Sequence, residues 1–161
     1  MPTAQLVELA EAITTTLAAA SFATGVFIPV RSYADWNDTL DELNEDLQVD
    51  VVPVGHDIAE LEARESMKYE SGVDVAVRKR FGTASQNAST GRIELAEIDD
   101  LVLLVEQIHE LFCKEAVTSA TIDASWLDTT IRATYIREHL REHRQFTGIV
   151  RIRYRLSKAT A

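Results

Sequence analysis

The chain has 161 residues, of which 46% are hydrophobic and 26% charged, enough apolar material for one ordinary core and too much for wholesale disorder. Its 16 basic against 26 acidic residues give a formal charge of −10, which sets the whole molecule against nucleic acid phosphates and anionic membrane surfaces. A single cysteine excludes an intramolecular disulfide framework and a CxxC metal knuckle, and fits a reducing compartment. With no run of 18 apolar residues and no basic, signal-like start, the expectation is a soluble protein made in a cytoplasm, without contact to a membrane.

In chain order, Leu6, Ala10, Ile13 and Leu17 recur every three or four residues and predict a helix from about Thr3 to Ala20. Val26 to Ser32 reads as a strand that Pro29 confines to a sheet edge, because proline has no N–H to donate. Trp36, Leu40, Leu43 and Leu47 predict a short second helix with Thr39 and Glu42 in capping-box order. The β-branched run Val49 to Val54 follows, with Pro53 expected to end it or push it to an edge and Gly55 to turn. His56 to Ser66 is acidic and reads as a loop or a ragged helix.

Apolar residues at Met67, Tyr69, Val73, Val75 and Val77 alternate with polar ones, so Met67 to Phe81 is a long strand, with a bulge expected at Ser71-Gly72. Residues 82 to 91, GTASQNASTG, carry neither charge nor a large apolar group and are expected to form a mobile loop. Leu95, Ile98, Leu101, Val102, Val105, Ile108 and Phe112 then mark the main core helix, about Glu94 to Ala116. Ile131 to Ile136 reads as extended, Tyr135 to Arg144 is densely charged, and Phe146 to Leu156 alternates apolar residues with Arg151, Arg153 and Arg155. The order predicts a single α+β domain, a largely antiparallel sheet with helices packed on one face.

Charge is segregated along the chain. Asp35 to Glu65 holds eleven acidic residues, among them Asp41, Glu42, Glu45 and Asp46, against Arg64 alone, while Arg132 to Lys158 holds eight basic residues against two acidic. Such segments are either solvated faces, or neutralise each other within one fold, or meet head to tail between copies, a geometry that closes into a ring when the rotation permits. The row Arg151, Arg153 and Arg155 suits carboxylate pairing at such a contact, or phosphates in a channel. Trp36 and Trp126 are candidate anchors for a subunit contact or partly buried core.

Catalytic chemistry finds little footing. His139 and His143 in HLREH, and His109 and Cys113 in HELFC, are each four residues apart, the spacing of metal ligands on one helix face, and define the alternative of a metal-dependent hydrolase. Flanking Arg137, Arg141 and Arg144 repel a cation, and Cys113 beside Phe112 reads as a small core residue. Neither GxSxG, GxxxxGK[ST] nor GxGxxG occurs, so no cofactor is expected, and the chain is read as a non-enzyme. A cytosolic ligand-binding module is a third class.

VFIPVRSYADWNDTLDELNEDLQVDVVPVG, then YESGVDVAVRKRF, LAEIDDLVLLVEQIHELF and FTGIVRIRYRLS, in that order from Leu6 to Leu156, resemble the small tail-terminator or tail-completion proteins of long-tailed bacteriophages. The resemblance implies an α+β subunit in a ring, usually hexameric, at the head-proximal end of the tail tube. That ring would contact the tail tube protein and a head-completion or connector protein, with genomic DNA in its lumen held without sequence specificity. It also implies a virion protein of the neck, assembled in the host cytoplasm, or alternatively another head–tail connector component.

Overall fold

The computed structural model describes residues 4–33, 45–62, 66–115, 117 and 122–159. The first helix, α1 (Gln5–Ala19), buries Leu9, Ala10, Ile13 and Leu17, the stripe that its periodicity marks. Thr14, Thr15 and Thr16 each return their hydroxyl to the carbonyl four residues back, so this β-branched run is satisfied inside the helix. Strand β1 (Pro29–Arg31) follows, then β2 (Gln48–Glu62), β3 (Ser66–Arg80), helix α2 (Leu95–Phe112), β4 (Asp123–Ala133), the short helix α3 (Arg137–Glu142) and β5 (Gln145–Ala159). They build one sheet in the order β1-β2-β3-β5-β4, antiparallel except for the β1–β2 pair. This is the α+β architecture expected.

Both long helices lie on one face. Val49 and Val51 of β2, Val73, Val75 and Val77 of β3, and Val150, Ile152, Tyr154 and Leu156 of β5 point to that face and form a single core with α1 and α2. From α2 the core takes Leu101, Leu104, Val105, Ile108 and Phe112, whereas Leu95, expected on this face, is exposed in the first turn. Lys114, at a left-handed φ of 63°, ends the helix, and Thr129 of β4 donates its hydroxyl to the Phe112 carbonyl at 3.0 Å. At Gly148 the helix and sheet approach closely: an added Cβ would sit 2.5 Å from Val105 Cγ2 and 2.9 Å from the Thr134 carbonyl oxygen.

Several boundaries differ from the sequence expectation. Val26 to Ser32 contributes only three paired residues, on the edge that Pro29 requires. The stretch read as loop or ragged helix, from His56 on, is instead the second half of β2, because β3 pairs with it as far as Glu62↔Ser66, with one irregularity between Ile58 and Glu60. Pro53 does not end β2. The partner β1 stops where the Ser32 N–H meets the Val51 carbonyl, so among the described residues β2 is itself the edge from Pro53 onward and loses no bond on that side. The irregularity expected at Ser71-Gly72 lies on β2, between Pro53 and Gly55, while β3 pairs with β5 without a break; Gly55 sits in the strand rather than turning it.

Residues 82 to 91 form a 3-10 turn at Thr83–Ser85, a bridge from Gln86 to Ile93 and an Asn87 side-chain turn accepting from the Ser89 and Thr90 N–H groups. β4 begins at Asp123, eight residues before the extended stretch expected at Ile131, and α3 arises within the charged segment. The predicted helix around Trp36 to Leu43 lies outside the described residues.

A candidate interaction face

On the second face of the sheet, α3 packs on β5 at one end, and Ala76, Arg78, Thr147 and Ile149 are buried. This face receives the alternate residues of each strand: Asp50, Glu70, Asp74, Ala76, Arg78, Thr147, Ile149, Arg151, Arg153 and Arg155. Strand register sets opposite charges against each other. Asp74 lies directly across from Arg151 and Glu70 across from Arg155, so each arginine finds a carboxylate one strand away.

The arginine row predicted from the alternation is therefore real as geometry, and it is engaged within its own chain. Arg151 grips Asp74 with two bonds, Nε to Oδ1 at 2.8 Å and Nη2 to Oδ2 at 3.0 Å. Arg153 bridges Glu70 at 3.3 Å and Asp128 of β4 at 3.1 Å, and Arg155 reaches Glu70 at 3.1 Å. Deeper on the face, Arg78 pairs with Asp50. Four arginines meet four carboxylates, so the lattice is neutral and carries no net field toward phosphate. Burial grades along it: the Asp74 side chain is 6% exposed, against 32% for Glu70 and 39% for Arg155.

The carboxylates of this lattice are not those of the acidic run singled out in the sequence, Asp50 excepted. Asp41, Glu42 and Trp36 lie outside the described residues. Glu45 and Asp46 are exposed just before β2, and the Glu45 carboxylate lies against Gly82. Glu70, Asp74 and Asp128 were missed because each looks like an ordinary polar position of its own strand; only the cross-strand register brings them to the arginines.

At the α3 end a buried polar group adjoins the lattice. His139 Nδ1 is 2.9 Å from the Thr147 hydroxyl, to which Gln145 Nε2 donates at 3.0 Å. With the hydroxyl oxygen accepting from Gln145, its proton is free to serve a neutral His139. Burial lowers the pKa of His139 from the ordinary imidazole value, and the neighbouring His143, whose ring centroid is 6.3 Å away, lowers it further.

The four candidate metal ligands are not brought together. His109 on α2 contacts the Thr129 carbonyl at 3.0 Å on the core side, whereas His139 and His143 belong to the α3 end of the opposite face. Cys113 is exposed at the end of α2, a correction to its reading as a core residue: the helix turns out at Cys113 and Phe112 alone points inward. Among the described residues no three His, Cys, Asp or Glu side chains form a metal-binding group. Trp126 is half-buried and donates to Thr129 Oγ1 at 2.8 Å.

No helix among the described residues is long and apolar enough to cross a membrane. Neither a protein-family model nor a curated protein matches the chain.

Proposed function

We propose that this protein is a structural component of a bacteriophage neck, a tail terminator whose copies close into a ring on the head-proximal end of the tail tube. The observation that carries this is the order of elements through the segments bearing the resemblance. The edge strand, the β2–β3 hairpin and the closing β5 belong to one sheet, and the N-terminal helix and the core helix α2 pack on it around one core. Such a subunit works by shape. Its two long helices occupy one face, and the sheet edges and the long hairpin are offered to copies of itself, to the tube protein and to a head-completion or connector protein. The hairpin strands are 15 residues each, roughly 50 Å of extended chain. A neutral lattice of paired arginines suits a surface past which genomic DNA travels without being held. The site of action is the virion.

The test is electron microscopy of particles assembled without this protein. Tubes that grow past their normal length and fail to join heads are the expected result. Tubes of normal length that remain headless would assign the chain to another neck component, and normal particles would overturn the proposal.

A further inference from the structure

The two ends of the sheet differ in a way that an isolated subunit does not need. Along the β1 edge, exposure alternates: Val26 is 98% exposed, Ile28 82% and Val30 54%, while Phe27 packs against the core and Pro29 is buried. Val30 pairs with Asp50 and so points to the face opposite the helices. Val30 lies in β1 and Val26 and Ile28 lead into it, and three exposed aliphatic side chains beside a sheet edge are unlike the charges with which edges are normally protected. Beside them, a cavity of about 280 Å³ opens between the end of α1 and the segment leading to β1, lined by Leu17, Phe22 and Phe27.

The opposite edge is β4, and it is built to the same level. One row runs straight across the sheet through Val30, Asp50, Ala76, Ile149 and Ala133. The first pair is parallel and the three that follow are antiparallel, so β1 and β4 run in opposite directions. A second copy set beside the first in the same orientation would therefore present its β4 antiparallel to β1, in the more stable of the two pairings. Charge agrees with this alignment. Beyond the row, at the end of the sheet where β2 and β5 begin, Asp46 is exposed in the lead to β2, the strand beside β1, and Arg137 and Arg141 of α3 are exposed just after β4.

We infer that the β1 edge is the docking site for the β4 edge of a second copy of this chain, so that one sheet continues from subunit to subunit. The contact is head to tail: each copy gives β1 on one side and β4 on the other, and a constant rotation per step closes a ring. This deepens the ring proposal by naming the surface and rests on it for the partner. Backbone ladder bonds supply affinity, and burial of Val26, Ile28 and Val30 supplies the apolar contact that β1, three residues long, lacks by itself.

The test uses the full chain with Cys113→Ser to remove the native thiol, and adds Val30→Cys and Ala133→Cys. Within one copy these residues are four strand spacings apart, roughly 19 Å, well beyond the ~7 Å that a disulfide tolerates between Cα atoms. Any bond between them must join two copies. Mild oxidation is expected to give a ladder of covalent oligomers up to the closed ring on a non-reducing gel, whereas either single cysteine gives no ladder. Independently, Ile28→Lys with Val30→Lys, both on solvent-facing positions, is expected to reduce the assembly to monomer by analytical ultracentrifugation with the fold intact by circular dichroism. Absence of the ladder, or a Val30→Cys variant that dimerises as efficiently alone, would overturn the inference. The outcome separates from the neck proposal: overlong tubes without this protein but no ladder would sink the edge pairing alone, and a ladder with normal tubes would sink the terminator alone.

Discussion

Replacing Arg151 by alanine should destabilise the subunit far more than replacing Arg155, although the two alternate on the same strand and look alike in the sequence. The difference is burial. Asp74 is 6% exposed and Arg151 25%, and both oxygens of Asp74 are taken by the one guanidinium. Removing Arg151 leaves a charge in a place water barely reaches. Loss of one partner from a fully buried pair costs about 3–5 kcal/mol, and a quarter of the Arg151 side chain is wet, so roughly 2–3 kcal/mol is expected here. For a chain of this size that lowers the melting temperature by about 4–12 °C. Arg155 shares Glu70 with Arg153 at sites about a third exposed, and its removal should cost no more than about 1 kcal/mol. Thermal and urea denaturation of Arg151→Ala, Arg155→Ala, Asp74→Ala and the Arg151→Ala/Asp74→Ala pair would measure both the contrast and the coupling. Equal, sub-kilocalorie losses for the two arginines would refute the claim that the lattice is part of the fold and would return the row to the role of a free binding surface.

Stability should also fall as pH drops from about 6.5, because His139 binds its proton more readily in the unfolded chain than in the folded one. The contribution is complete above the unfolded imidazole value and is lost as pH falls through the lowered folded one; His139→Gln, which cannot titrate, should flatten that part of a melting-temperature profile, and an unchanged slope would contradict it. Gly148→Ala should cost about 1–3 kcal/mol by overpacking, and Val105→Ala should relieve it only in part because the Thr134 carbonyl still stands 2.9 Å from the new methyl; denaturant midpoints of the single and double variants check this. Tyr154→Phe removes the 3.0 Å bond to the Glu115 carbonyl and should cost about 1 kcal/mol, read from the same denaturation series.

What the sequence disclosed followed periodicity, and what it hid depended on pairing. Leu9, Ala10, Ile13 and Leu17 fall on the stripe of α1 because a helix generates its own neighbours. The alternation of arginines on β5 was equally visible. Their partners were not, since nothing local to Glu70, Asp74 or Asp128 reveals which strand will lie beside them. The half of β2 after Pro53 was hidden for the same reason: its residues form a strand because β3 pairs with them, with no apolar face to announce it. α3 is a six-residue helix, shorter than the window in which an apolar stripe can be read. Cys113 and Leu95 were misplaced at the two ends of α2, where one residue of difference in the last turn moves a side chain from core to solvent.

The lattice and the edges are coupled through strand register. A slip of one residue between β3 and β5 would turn Arg151, Arg153 and Arg155 toward α1 and α2 and send Ile152, Tyr154 and Leu156 to solvent, so the apolar core alone already disfavours it. A slip of two residues keeps every side chain on its proper face and escapes that penalty. The charges detect it in both directions, though unequally: in one, Asp74 would face Ile149 and lie buried without a guanidinium, and in the other Arg153 would take the place of Arg151, which would face Ala76 without a carboxylate. On this argument the ion pairs contribute specificity more than net stability. The same two-residue slip would displace β4, which pairs with β5, by about 7 Å relative to β1 and break the level row from Val30 to Ala133. The pairing of Arg151 with Asp74 in the middle of the sheet thus helps set whether its two outer edges match those of the next copy.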